Sequence, residues 1–162
     1  GLMLDNNDVA GLEAAKHAWL TGDHWQKLRH AMEDMFVLDD WFETMVAQNV
    51  VMDGLVYPLF FERFIEEISK EGMSSMLMLS GFMNDWYAET VRWTDALIKV
   101  TANESENNKM LLSGWSEKWI ERLTAALLPL GDIAFFEKGD EVVNECKQIL
   151  LSRLNKQGLK IK

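Results

Sequence analysis

Cysteine is almost absent from this chain. Cys146 stands alone, so an internal disulfide cannot form, and a reducing compartment, the cytoplasm, is the expected setting. Proline is nearly as scarce. Two prolines and ten glycines in 162 residues, with few alternating apolar runs, leave too little turn chemistry for an all-β fold. No apolar run approaches the ~18 residues of a membrane span, and the start has no basic stretch followed by an apolar one. Neither a membrane contact nor a signal peptide is therefore expected. Positive charge is in deficit as well: 16 Lys and Arg against 26 Asp and Glu give a formal charge of -10, which would repel a phosphate backbone and excludes nucleic acid as a partner.

What remains is the composition of a helical protein. Apolar residues make up 48% and charged residues 26%, enough to bury a full core, and Leu, Met, Ala, Glu and Lys are plentiful. The length fits one helical domain over residues 1–162, and the class is all-α. Residues 1–11 show no clean period and read as an irregular N-terminal stretch. A short helix is expected from Glu13 to Leu20, stopped by Thr21-Gly22; Asp23 with Gln26 resembles a capping box for a second helix reaching about Phe36. Leu38-Asp39 forms a break. Asp40 with Glu43 opens a long helix expected to run to about Gly72, and Ser74 or Ser75 caps the next, over about 75–102. After the polar run 103–108, a helix from about Asn107 to Leu128, a break at Pro129-Leu130-Gly131 and a last helix from Asp132 to about Gln157 complete the chain, with Gly158 as the stop.

The long helix beginning near Trp41 carries the main anomaly. At about 100° per residue, Phe42, Met45, Val46, Val56, Phe60, Phe64 and Ile68 share one broad apolar face, and Asn49 and Asp53 fall within it. A carboxylate so placed needs a partner, because burying it alone is costly. Pro58 lacks an amide hydrogen and crowds the carbonyl of Gly54, so a kink or widened turn is expected there. A tight turn near Gly72 makes the two long helices antiparallel and sets Asp53 level with Arg92. Arg92 follows Glu89 by three residues, where a carboxylate-bridged di-iron bundle would have Glu-x-x-His. A guanidinium stays protonated and cannot ligate a metal. Asn49, Asp53, Glu89 and Arg92 are thus the candidate charge-assisted network; the alternative is that Glu89 and Arg92 simply pair on a solvated face.

No motif supports a metal or a nucleophile. The three histidines, His17, His24 and His30, all precede the long helices, and the chain contains no Glu-x-x-His. Gly-x-Ser-x-Gly elbows and phosphate-binding glycine loops are absent as well. Lys147, Arg153, Lys156, Lys160 and Lys162 form a basic tail that complements a helix C-terminus without needing a ligand. Tryptophan is the unusual surplus, with seven in the chain. Trp86 and Trp93 lie seven residues apart on one stripe, and Trp115 and Trp119 are one turn apart on the following helix. These four are either core or candidate anchors at a subunit interface, where Trp is enriched.

Three stretches resemble a known family: VAQNVVMDGLVYPLFFERF (46–64), DWYAETVRWTDALIKV (85–100) and ESENNKMLLSGWSEKW (104–119). Together they look like the C-terminal half of the β, or small hydroxylase, subunit of soluble di-iron multicomponent monooxygenases, in wording nearest the propane, tetrahydrofuran and alkane-oxidising branch. The resemblance implies a ferritin-like helical bundle, or the C-terminal half of one, with two long antiparallel helices. It further implies a metal-free, non-catalytic chain that scaffolds an enzyme inserting oxygen into small hydrocarbons. The di-iron cofactor would sit in the catalytic α subunit, the partner of this chain, within a dimer of αβ units. Family members are about twice as long, so the resemblance also implies a longer β subunit. The alternative is a free-standing helical binding or regulatory module without enzyme activity.

Overall fold

A computed structural model describes residues 7–70 and 75–161, without the side chains of Ser75, Met76 and Leu79. The expected turn near Gly72 and the caps at Ser74 and Ser75 lie outside what is described. The described residues form helices and connecting turns, as the all-α reading requires. Helix α1 is Val9–Thr21, α2 is Asp23–Met35, α4 is Ser75–Glu104, α5 is Glu106–Phe135 and α6 is Gly139–Lys156. Between α2 and α4 lies α3, a continuous helical run over 41–70.

Local chemistry accounts for most boundaries. Asp8 accepts a hydrogen bond from the Gly11 amide at 2.8 Å, so α1 begins at Val9, four residues before the expected start, and residues 9–11 are helical rather than irregular. Asp40 caps α3 by accepting from Phe42 N at 2.8 Å and Glu43 N at 3.4 Å. Ser105 alone separates α4 from α5, accepting from Asn108 N at 3.1 Å. Gly158, at φ +95°, stops the chain after α6 as expected.

The expected break at Pro129-Leu130-Gly131 does not occur: α5 continues through it to Phe135, where Phe136 takes φ +53°. Gly131 is an approach point rather than a stop. A Cβ on it would lie 2.8 Å from Val143 Cγ2, and one on Gly139 would lie 2.4 Å from Asp132 N, so the end of α5 and the start of α6 meet backbone to backbone. This close corner moves the start of the last helix from the expected Asp132 to Gly139.

The interior of α3 is not a plain α-helix. Trp41–Met45, Asp53–Val56 and Ile65–Lys70 are α, but Val46–Met52 and Tyr57–Phe64 are π turns, in which each bond spans five residues. The wider turns raise the repeat to four residues. Val46, Val50, Gly54 and Pro58 form one buried line and Ala47, Val51, Leu55 and Leu59 another. A 3.6-residue period instead places Val56 and Phe60 at the centre of the face; both are only partly buried. Pro58 stands in the first turn of the second π segment, where its missing N–H is tolerated, and Gly54 admits Leu150, whose Cδ1 would be 2.8 Å from an added Cβ.

Helix α4 returns antiparallel to α3. Tyr57 stacks on Tyr87 with ring centroids 4.9 Å apart, and Asn84 donates to the Phe61 carbonyl at 3.4 Å, so positions fall along one helix as they rise along the other. Helix α5 supplies the centre of the core, burying Leu112, Trp119, Ile120, Leu123, Leu127 and Leu130 against α2, α3, α4 and α6. Gly139→Ala should lower stability by about 1–3 kcal/mol through overpacking, despite the better helix propensity of Ala. Gly54→Ala should be milder, because a Leu150 methyl can rotate away where backbone cannot. Urea unfolding of both variants, read as midpoint at constant m, checks the order.

Candidate functional site

The four-residue repeat of α3 lines up Asn49, Asp53 and Tyr57 along the flank of its buried stripe. Asn49 and Asp53 are half-buried, and Asn49 Nδ2 donates to Asp53 Oδ2 at 3.5 Å. Burial pushes the Asp53 carboxyl above its ordinary range, opposed by the Asn49 bond and by the charge of Arg153. Tyr57 is likewise raised, by burial and then by the Asp53 charge.

The cation that faces Asp53 is therefore on α6. Arg153 Nε donates to Asp95 Oδ1 at 2.8 Å, and its Nη2 donates to Thr94 Oγ1 at 2.7 Å; Thr94 in turn donates to the Thr90 carbonyl at 2.7 Å. Gln157 Nε2 donates to Asp95 Oδ2 at 3.0 Å, completing the carboxylate. Side-chain exposure is 12% for Arg153 and 20% for Asp95, so this pair is largely dry. Tyr87 lies against it; burial raises its phenol, and the nearby guanidinium lowers it. Three helices thus converge on one guanidinium.

The expected network of Asn49, Asp53, Glu89 and Arg92 separates into two pairs. Arg92 Nη1 meets Glu89 Oε1 at 3.0 Å on the outer face of α4, with side chains 72% and 67% exposed. The height was read correctly and the azimuth was not. The Tyr57–Tyr87 and Phe61–Asn84 contacts do bring Asp53 level with residues 91–92, but the side of α4 that meets the bundle runs through Ser80, Asn84, Tyr87, Thr90, Thr94 and Ile98. Arg92 points away from it. Arg153, read from the sequence as part of a basic tail, was legible by spacing: Cys146, Leu150, Arg153 and Gln157 follow a 4-3-4 rhythm on one helix face.

This centre does not fit a di-iron group. Among the described residues, no cluster of three or more His, Cys, Asp or Glu is placed to hold a metal ion. His17 bonds Thr21 Oγ1 at 3.1 Å on exposed α1, and His24 and His30 lie on α2. The carboxylates of the centre already face a guanidinium, whose fixed charge opposes a second cation.

The four tryptophans divide. Trp119 is wholly buried, which removes it from the candidate anchors: its Nε1 donates to Glu43 Oε1 at 3.0 Å, and Lys118 and Arg122 approach its ring at 5.1 and 5.3 Å. Lys118 Nζ shares the same Glu43 oxygen at 2.7 Å, and Arg122 pairs with Asp34. Glu43 is thus drawn away from the expected reciprocal cap and ties α3 to α5. Trp115 is half-buried against the core. Trp86 and Trp93 remain exposed on α4 with Phe82. No described helix is long and apolar enough to cross a membrane.

A family model described as methane/phenol/alkene hydroxylase matches residues 1–105. The chain is 42% identical over 160 residues to the oxygenase component DmpL of phenol 2-monooxygenase from Pseudomonas sp. (strain CF600), covering 99% of this chain and 47% of that protein. It is 27% identical over 124 residues to the hydroxylase component small subunit of propane 2-monooxygenase from Mycolicibacterium smegmatis, covering 74% of this chain and 34% of that protein. A crystal structure of xenon-pressurized phenol hydroxylase from Pseudomonas sp. OX1 superposes with a TM-score of 0.91 at 37% identity, over 99% of this chain and 48% of that one. The chain spans about half the length of these phenol-oxidising relatives. The expected small-subunit resemblance holds, and the propane branch is one of several it extends to.

Truncating Arg153 to Ala should cost about 3–5 kcal/mol, because it strands Asp95 in a dry site, whereas Arg92→Ala should stay within about 0.5 kcal/mol. Chemical denaturation separates the two. Asp53→Asn should raise stability at pH 7: a raised folded-state pKa means the charged form is penalised above that pKa, and the penalty disappears as pH falls below the unfolded value. The gain should therefore shrink as unfolding is followed down through the carboxylate range.

Proposed function

We propose a function from one premise: the chain belongs to the methane/phenol/alkene hydroxylase family. It acts as a metal-free small subunit that packs on the catalytic, di-iron-bearing α subunit of a cytoplasmic multicomponent monooxygenase, and two such αβ units pair in the working hydroxylase. The observation that carries this reading is the polar centre of the bundle. The chain has the family fold, and its internal charge is a guanidinium held by Asp95, Thr94 and Gln157 rather than a set of metal ligands.

On this reading the chain contributes rigidity and surface, and the chemistry belongs to its partner. Packing α5 between four neighbours gives a stiff block, and the charge of -10 keeps it from nucleic acid. The substrate class is small hydrocarbons and their aromatic counterparts. Higher identity to a phenol-oxidising relative than to a propane-oxidising one supports the aromatic side.

Co-expression with the α subunit of a phenol-type hydroxylase tests the proposal. The chain should co-elute with α, and after anaerobic Fe(II) loading the separated chain should hold no stoichiometric iron and show no oxygenase turnover. A chain that remains a well-behaved species indifferent to α would favour a free-standing module. Stoichiometric iron in the isolated chain would overturn the metal-free reading.

A further inference from the structure

Tyr57 and Tyr87 are the only tyrosines in the sequence, and the fold sets them against each other. Their ring centroids are 4.9 Å apart and their planes differ by 12°, a parallel stack that joins α3 to α4. The contact is tertiary and owes nothing to helical spacing. Phe61 lies 5.1 Å from Tyr57 on the same helix but has no phenol, so Tyr87 is the one partner of like chemistry that Tyr57 meets within the chain.

Paired phenols have a chemistry that single ones lack. A phenol that gives up one electron also gives up its proton, leaving a phenoxyl radical whose unpaired spin resides partly on the ring carbons ortho to oxygen. When two such radicals meet, the ortho carbons bond and the displaced ring protons restore both hydroxyls. Two electrons have then passed to the oxidant and two protons to water, and one C–C bond stands where two ring C–H bonds were. Most tyrosines oxidise without a neighbour to couple with. Here the neighbour is in place beforehand, and the surroundings order the two steps. Burial raises both phenols, so each holds its proton at neutral pH and releases it only with the electron. The Asp53 charge reaches Tyr57 and favours a hole on its ring, whereas the Arg153 guanidinium acts on Tyr87 and opposes one there. Tyr57 therefore oxidises first.

We propose that Tyr57 and Tyr87 form an oxidative cross-linking site, at which a one-electron oxidant such as a peroxide-derived radical joins α3 to α4 through a dityrosine bond. The inference does not rest on the subunit reading, because both residues and the geometry that pairs them belong to this chain. Its consequence is mechanical. The bond ties the helix that carries Asp53 to the helix that carries Asp95, the two carboxylates that Arg153 serves.

The test exposes the chain, alone and in its complex with α, to tris-bipyridyl ruthenium(III) generated by light and persulfate. The chain should gain the blue fluorescence of dityrosine while running as a single chain on a denaturing gel. Tryptic peptides ending at Arg63 and Arg92, which hold Tyr57 and Tyr87, should appear joined, at a mass two hydrogens below their sum. The linked chain should melt at a higher temperature, because a cross-link constrains the unfolded state. Tyr57→Phe and Tyr87→Phe each keep both rings and should still fold, with the helical circular dichroism of the parent, yet each should lose the fluorescence and the joined peptide entirely. The joined peptide in either preparation supports the proposal. Its absence from both, with the oxidant consumed at tryptophans, would overturn it, as would dityrosine that forms only between chains or that survives in Tyr87→Phe.

Discussion

The four-residue repeat of α3 is the constraint from which the bundle's interior follows. An α-helix drifts relative to a straight neighbour, so a stripe that must stay buried over several turns needs either a supercoil or a change of pitch. Here the pitch changes. Two π segments hold Val46, Val50, Gly54 and Pro58 in one line and Ala47, Val51, Leu55 and Leu59 in the next, so the first half of α3 can lie on α5 and the second on α4 and α6. The same repeat stacks Asn49, Asp53 and Tyr57 on the flank, and that placement delivers a carboxylate to the site where α6 brings its guanidinium. Packing and polar chemistry are two readings of one helical pitch.

Arg153 shows how the polar centre of this bundle is held together by one guanidinium. A buried ion pair is weak evidence of net stabilisation, because desolvation offsets much of the attraction. Its consequence is geometric. Asp95 must find Arg153, Thr94 must turn its hydroxyl to accept from Nη2 while donating to the Thr90 carbonyl, and Gln157 must reach the remaining carboxylate oxygen. These demands fix the rotation of α4 and α6 about their axes. Asp53 stands at the edge of this system, where burial pushes its carboxyl up and the Asn49 bond and the Arg153 charge oppose that rise.

Much of this was legible in the sequence, and the gaps have physical causes. Composition specified the helical class, Asp40 and Gly158 punctuated the chain as expected, and the antiparallel relation of α3 and α4 followed from a short connection. The height of Asp53 opposite Arg92 was right because rise per residue is nearly invariant. Its partner was wrong because height says nothing of azimuth: Arg92 lies on the outer side of α4, whose inner side runs through Thr90, Thr94 and Ile98. Pro129 and Gly131 misled for a related reason: both are breakers in isolation, but Gly131 is present for the close approach of α6, and tertiary contact outweighed local propensity. Arg153 was overlooked because a cation near a helix end is usually solvated, and only its place in the rhythm of Cys146, Leu150 and Gln157 distinguishes it.

The aromatic surplus resolves into two populations with different physics. Trp119 is sealed by α3 and α5, its indole N–H satisfied by a carboxylate that also binds Lys118, so its contribution is complete within the chain. Phe82 and Trp86 approach each other with ring centroids 6.3 Å apart, and with Trp93 they stay exposed on α4. Exposed rings along one helix, alternating with Ala88 and Ala96, incur hydration without any gain in core burial. The two populations thus differ in what burial does for them: Trp119 exchanges water for a carboxylate and a packed core, whereas the rings on α4 keep their water.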